Sequence, residues 1–344
     1  MFPKVQFDQE AEGSKLGLVE VVKHIDDRIL RLIFLPSEWC NFRCDYCYEE
    51  FDPKKTRMKP DVLLGVKRYL TKKLPGVQGV ALNWFGGEPM VAYSDIVDIM
   101  TCVHRARESS KLSLDIVSSM TTNGSLLNGE KFRELVSLGV GRYLITLDGD
   151  TDYHDKHRVT IGGGATMARI WNNLVMAKNS NLSFEITLRV HVSAVNFESV
   201  QRLLQRIAKE FGSDKRFNVF IRPISRLGGK HDELIPVLGK GEDKPTIDEL
   251  RHYAENLGLT LFEGWRVPVC YASAMNSIVI RNDGSVSKCT VALYDPLNSV
   301  GRITAEGEIV LDSAKFEWWT RGLVTRDAGT LLCPLKGGRP AWED

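Results

Sequence analysis

The sequence is short of most features that would assign it quickly. Charge of one sign is missing: 45 lysines and arginines stand against 44 aspartates and glutamates, a formal net charge of +1. That balance argues against a dedicated nucleic-acid surface, although a local basic patch would not register in a whole-chain count. No apolar run is long enough to span a bilayer, and no hydrophobic signal stretch opens the chain, so no membrane association is expected. Cysteine is scarce, seven in 344 residues, and odd in number. A disulfide framework is thereby disfavoured; thiols reserved for metal in a reducing cytoplasm are the expectation. Internal repeats and low-complexity segments are absent. At this length one large α/β core and a small appendage can be buried.

Three of the seven cysteines are concentrated in one place. Cys40, Cys44 and Cys47 fall within eight residues, spaced CxxxCxxC, directly after the apolar run Ile29–Leu35. That run is short and β-rich, so it reads as a buried strand. The loop leaving a strand's C-terminal end is where α/β barrels and open sheets place their chemistry. Three thiolates without a fourth can hold a four-iron cluster and leave one iron open, whereas structural zinc takes four protein ligands. A three-cysteine zinc knuckle, or thiols that merely pack, is the bland alternative.

Downstream the chain alternates. Helical spacing begins at Asp61, and Val80–Phe85 reads as a strand ending in Gly86-Gly87-Glu88-Pro89. Further strands are expected near 114–120, 143–147, 184–192 and 217–223, with helices near 95–107, 130–138, 165–178 and 197–211. Six strand–helix units are the habit of a parallel β/α array, too few to close an eight-stranded barrel. Ahead of them Leu16–Val22 reads as an edge strand or hairpin. Leu227–Gly241 reads as a glycine-punctuated loop or lid before a helix near 246–257. Asn282-Asp283-Gly284 between two apolar runs is a hairpin signal. The expected division is an N-terminal segment 1–27, a barrel 28–226, a bridging region 227–267 and a small unit 268–344.

The string Cys40-Asn41-Phe42-Arg43-Cys44-Asp45-Tyr46-Cys47 resembles the signature of the radical S-adenosylmethionine (radical SAM) superfamily, with Tyr46 in its aromatic slot. The resemblance is to the branch that includes anaerobic sulfatase-maturating enzymes and peptide-modifying maturases. It implies an α/β fold: a partial (β/α)6 TIM-like barrel with a small C-terminal α+β auxiliary-cluster domain. It also implies that Cys40, Cys44 and Cys47 hold a [4Fe-4S] cluster whose open iron takes the methionine end of SAM. One electron would then release a 5′-deoxyadenosyl radical. Gly86, Gly87 and Glu88 resemble the motif that holds the SAM amino group. Thr122, Asn123, Thr146 and Asp148 lie at the next two strand ends, where short polar groups can bond the SAM ribose or carboxylate; their plain reading is turn chemistry. His154-Asp155-Lys156-His157-Arg158 looks like the HDxxR stretch that follows in maturases, with a surface or supporting role. Arg189, inside a strand, either points into the barrel toward SAM or substrate or snorkels outward.

Cys270, Cys289 and Cys333 resemble the thiols of an appended SPASM or shortened twitch domain, since Gly284 precedes Cys289 as G-x4-C and Cys333-Pro334 is followed by Gly337-Gly338. Full domains of that kind carry more cysteines, so three thiols imply a single auxiliary [4Fe-4S] cluster completed by a non-cysteine ligand, water or substrate. Cys102 reads as a small buried hydrophobe, and Trp318, Trp319 and Trp342 as core or interface residues. The resemblance implies hydrogen abstraction from a ribosomally made precursor peptide, ending in a side-chain crosslink such as a cyclophane or thioether. The N-terminal segment is too short for the separate peptide-binding domain of some maturases. A separate leader-binding protein and a reductant such as flavodoxin or ferredoxin are the implied partners. The alternatives are radical oxidation or epimerisation of a small molecule such as a sugar or aminoglycoside, and a non-catalytic iron–sulfur scaffold or electron carrier. No general base is nominated.

Overall fold

A computed structural model describes residues 17–51, 54–109, 113–229, 231–263, 268–338 and 340; Trp342 lies outside them. The N-terminal stretch read as a strand is instead a helix, α1 (Leu18–Ile25). Its β-branched run is overridden by tertiary contact, because Val21 packs with Val269, Leu323 and Leu331 from the C-terminal end.

Six long strands, with intervening helices and two short strands, then follow the expected alternation. In order they are β1 (Ile29–Ser37), the short β2 (Phe42–Cys44), α2 (Pro60–Lys73), β3 (Gly79–Gly86), α3 (Tyr93–Ser109), β4 (Asp115–Thr122) and α4 (Gly129–Ser137). Next come β5 (Val140–Leu147), α5 (Thr151–His157), β6 (Arg158–Thr160), α6 (Met167–Lys178), β7 (Glu185–Val192), α7 (Phe197–Phe211) and β8 (Phe217–Pro223). The six long strands pair in parallel in the order β1-β3-β4-β5-β7-β8. Parallel strands of this kind are covered by helices, and β1 shows it as a near-continuous apolar run, Ile29–Leu35 broken only by Arg31. Helix α7 shows why the helices dock: Val200, Leu203, Leu204, Ile207 and Phe211 recur on one face and are all buried. Each contributes roughly 1.5–3 kcal/mol.

The bridging region supplies α8 (Asp243–Asn256), close to the helix read from sequence. Beyond it lie β9 (Ser277–Arg281), β10 (Ser285–Ser287), β11 (Ser299–Ile303), β12 (Ile309–Leu311), α9 (Ser313–Thr325) and α10 (Ala328–Leu332). The hairpin expected at Asn282-Asp283-Gly284 is β9–β10, with Val286 opposite Ile280. Its Gly284 has φ +89°, a left-handed turn position that glycine takes without strain. Strand β9 lies parallel to β1, Ile33 opposite Val279, so the C-terminal unit extends the barrel sheet to ten strands, β12-β11-β10-β9-β1-β3-β4-β5-β7-β8. A buried carboxylate holds this seam: Glu38 accepts two hydrogen bonds from Arg281, at 2.7 and 2.8 Å, and one from Lys55 at 2.9 Å. Trp319 is core, as expected, its indole N–H donating to the Leu297 carbonyl at 2.8 Å. Among the described residues no helix is long and apolar enough to cross a membrane.

Candidate active site

The cysteine loop leaves β1 and is fixed from three sides. Strand β2 pairs antiparallel with β6, setting Cys44 opposite Arg158. The Arg43 guanidinium lies 4.4 Å from both the Trp39 and Phe51 rings and donates to the Cys40 carbonyl at 2.8 Å. Below, Gly86 and Gly87 press against the loop's backbone. A Cβ on Gly87 would sit 2.7 Å from the Trp39 carbonyl, and one on Gly86 2.2 Å from that of Ser37. The glycines therefore permit a close approach of the protein to its own cysteine loop, a constraint the motif alone did not show.

Glu88 is fully buried. Its carboxylate accepts hydrogen bonds from the Met90 N–H at 2.9 Å, the Thr122 hydroxyl at 2.7 Å and the Asn123 N–H at 2.7 Å. Burial pushes its pKa up, while these donors and Arg158 pull the other way. The side chain thus ties β3 to the turn after β4. Asn123 continues the tie, donating to Asn41 at 2.9 Å.

The three thiols share the wall of an inner chamber of about 130 Å³ with Gly86, Gly87, Thr122, Asn123, Thr146 and Arg189. Arg189 points into the barrel, donating to the Thr146 hydroxyl at 2.9 and 2.7 Å. Two further residues here were missed by sequence reasoning, His191 and Arg222. The signal for them was present. Arg189 and His191 are two apart on β7, hence on one face, and β8 sets Arg222 opposite His191. Burial, with the charge of Arg189, pushes Arg222 down to about 10. A recess lined by Arg158, Arg189 and Arg222 is suited to an anionic group.

A larger outer cavity of about 810 Å³ shares Cys44, Tyr46, Cys47, Tyr48 and His191 with the chamber, and Gly228, Gly229, His231, Leu234, Ile235 and Pro236 form part of its wall. Tyr46 lines both spaces, and Asp148 lines the outer one. The Tyr46 hydroxyl donates to Asp148 and accepts from Arg158, and His191 Nδ1 lies 3.2 Å from the second Asp148 oxygen, off the angle of a hydrogen bond. Burial would raise the Asp148 carboxyl, but Arg158 and His191 outweigh it and hold it well below the usual range. His154 is buried and accepts from the Asp148 N–H at 3.4 Å, while His157 pairs with Asp45 at 2.5 Å. The HDxxR stretch therefore supports the site from behind.

The residues fit an iron–sulfur cluster. Burial holds the Cys40 and Cys44 thiols above their ordinary pKa, so they are not free nucleophiles, and ligation is what would ionise them. Among the described residues no three His, Cys, Asp or Glu side chains converge on a single metal ion; a cluster spreads its thiolates wider. The Phe42 N–H points to the Cys40 sulfur at 3.3 Å, as donors to cluster sulfurs do. The C-terminal trio is built alike: the Val291 N–H reaches the Cys289 sulfur at 3.3 Å, and the Cys270 thiol feels both Cys289 and Cys333. Cys102 stands apart on α3, half-buried.

The sequence profile of the Radical SAM superfamily matches residues 34–207, just over half of the chain. The chain belongs to that superfamily, and membership implies a [4Fe-4S] cluster and SAM. Among curated proteins it is 27% identical over 270 residues to a GTP 3′,8-cyclase of Clostridium perfringens, spanning 74% of this chain and 78% of that one. It is 25% identical over 287 residues to a cysteine-type anaerobic sulfatase-maturating enzyme of Clostridium novyi, spanning 77% and 74%. Its fold is similar to that of anSMEcpe with bound AdoMet and the Kp18Cys peptide, with TM-score 0.64, 16% identity and coverage of 86% and 82%. Streptococcus suis SuiB bound to precursor peptide SuiA gives TM-score 0.61, 15% identity and coverage of 93% and 75%.

Proposed function

We propose that this radical SAM enzyme abstracts hydrogen from a ribosomally made peptide and that a side-chain crosslink, a cyclophane or thioether, results. The observation that carries the reading is the outer cavity. It opens beside Cys44 and Cys47, and its volume of about 810 Å³ exceeds what the cofactor end alone would take. The structural neighbours named above were crystallised with peptides, which supports a peptide in that space.

In this reading Cys40, Cys44 and Cys47 ligate the cluster. The backbone at Gly86 and Gly87 would hold the SAM amino group, while Glu88 acts by locking Thr122 and Asn123 in place. Arg189 and Arg222 are the cations for a carboxylate, Thr146 aims Arg189, and Tyr46 with Asp148 lines the space for substrate. When bound, the cluster and SAM supply hydrogen-atom abstraction from an unactivated C–H bond. Cys270, Cys289 and Cys333 hold a single auxiliary [4Fe-4S] cluster. A flavodoxin or ferredoxin reduces the enzyme in the cytoplasm, and a separate protein presents the peptide's leader.

The similarity to a GTP 3′,8-cyclase favours a second reading, a small-molecule substrate. One anaerobic assay separates the two. The protein is reconstituted with iron and sulfide, reduced, given SAM and assayed for 5′-deoxyadenosine with precursor peptides from its gene neighbourhood or with GTP. Deoxyadenosine that rises only with a peptide, together with a mass loss in that peptide, supports the first reading. Stimulation by GTP alone overturns it.

A further inference from the structure

One line of hydrogen bonds runs from one cysteine trio to the other. The Tyr48 hydroxyl donates to the Thr290 carbonyl at 2.9 Å. The Thr290 N–H donates to the Tyr271 hydroxyl at 2.9 Å, and the hydroxyls of Tyr271 and Thr290 lie 2.8 Å apart. Each of the three residues directly follows a cysteine: Tyr48 after Cys47, Tyr271 after Cys270 and Thr290 after Cys289.

Packing does not require these hydroxyls. Tyr271 and Thr290 are buried, where phenylalanine and valine would fill nearly the same volume, and a buried hydroxyl is costly unless paired. Here the pairing is complete and crosses the join between the loop after β1 and the turn after β10. Partners of metal ligands orient the ligands and tune the metal they hold.

Resting on the two-cluster reading above, we propose that Tyr48, Thr290 and Tyr271 form a positioning bridge that fixes one iron–sulfur site relative to the other and makes each sense the other's charge. Tyr48→Phe is the sharpest test, because it leaves both trios and every direct bond to sulfur intact. The full chain, reconstituted anaerobically, is titrated redox-potentiometrically and followed by electron paramagnetic resonance. The expected result is parental iron content with a shift of about tenfold in the reduction equilibrium of one cluster, about 59 mV for one electron. The magnetic interaction between the two reduced clusters changes with it. Parental potentials and a parental interaction overturn the bridge.

Should Tyr48→Phe lose iron, Tyr271→Phe decides. The bridge requires the barrel cluster's potential to move although the substitution lies in the C-terminal unit, and no movement there overturns it. The triple variant Cys270→Ala, Cys289→Ala, Cys333→Ala judges the two-cluster reading separately. Unchanged iron removes the second cluster and the bridge with it. Iron falling by half leaves that reading standing, whatever the tyrosine variants show.

Discussion

The two cysteine trios use the same local device but are assembled at opposite ranges of the chain. In each, an N–H two residues ahead points at a sulfur: Phe42 to Cys40 and Val291 to Cys289, both at 3.3 Å. The barrel trio comes from one loop of eight residues and faces three arginines drawn from β6, β7 and β8. The C-terminal trio is gathered from three separate segments, joined where the Cys270 N–H donates to the Leu331 carbonyl at 2.8 Å. The buried cation within its electrostatic reach is Lys288, whose Nζ donates to the Ala274 and Ser277 carbonyls at 2.5 and 2.6 Å. Burial pushes that lysine down to about 7, against the pull of the Cys270 thiol. The difference teaches that a ligand set made of adjacent residues is brought together by the local chain, whereas one made of distant residues comes together only in the folded protein.

Substitutions at the thiols should break the comparison most sharply. Cys44→Ala is expected to reduce 5′-deoxyadenosine to background and iron from about eight to about four per chain, while the triple C-terminal variant loses the same iron but keeps SAM cleavage. Iron analysis and a chromatographic deoxyadenosine assay check both. If both variants lose cleavage, the two sites are not functionally separable.

The supporting glycines should behave differently as well. Gly87→Ala drives a Cβ into backbone, 2.7 Å from the Trp39 carbonyl carbon and oxygen, and neither can swing aside. It should cost about 1–3 kcal/mol and lower iron retention at the barrel site. Gly284→Ala meets only the Val62 methyl at 2.9 Å, but at φ +89°. It should cost about 1–2 kcal/mol of strain and leave the barrel cluster's spectrum unchanged. Urea denaturation of the metal-free chains, with iron counts after reconstitution, compares them.

A titration sharpens the contrast between the inner support of the barrel site and the solvent. Burial, with Arg158 adding to it and Asp148 and Asp155 opposing, holds His154 down at about 4 against an ordinary 6.5. The unfolded chain therefore takes up this proton first as pH falls. The stabilisation is present above pH 6.5 and lost toward pH 4, about 3 kcal/mol in all. The metal-free chain should lose stability across that window, and His154→Gln should flatten the slope. An equal slope in the variant would place the sensitivity elsewhere.

The smallest expected effect is at Lys288. Lys288→Met removes a buried charge, so the metal-free chain should lose no more than about 1 kcal/mol. In the two-cluster reading proposed above, the C-terminal cluster, deprived of a nearby cation, should become harder to reduce. A redox titration that finds its potential unchanged or raised would remove Lys288 as its counter-charge.

Much of the barrel was legible because its signals are local. Strand β8 and helix α7 fall on the residues expected from apolar runs and helical spacing, and CxxxCxxC announced its chemistry by proximity alone. Elements of three residues, β2 and β6, carry too little periodicity to be seen, yet they bring Arg158 to Cys44. Helix α1 was hidden by its own β-branched residues, whose helical state depends on Val269, Leu323 and Leu331. The inward turn of Glu88 was equally invisible, since its three donors come partly from another strand.

By itself the sequence determined the strand–helix alternation, the cysteine loop after the first strand and the glycines beneath it, because spacing and local backbone freedom settle those. Tertiary structure alone decided that β9 joins β1, that Arg189, His191 and Arg222 line one chamber, and that Tyr48 reaches Thr290. Those contacts join residues remote in the chain, and no local propensity encodes which of them will meet once the sheet has formed.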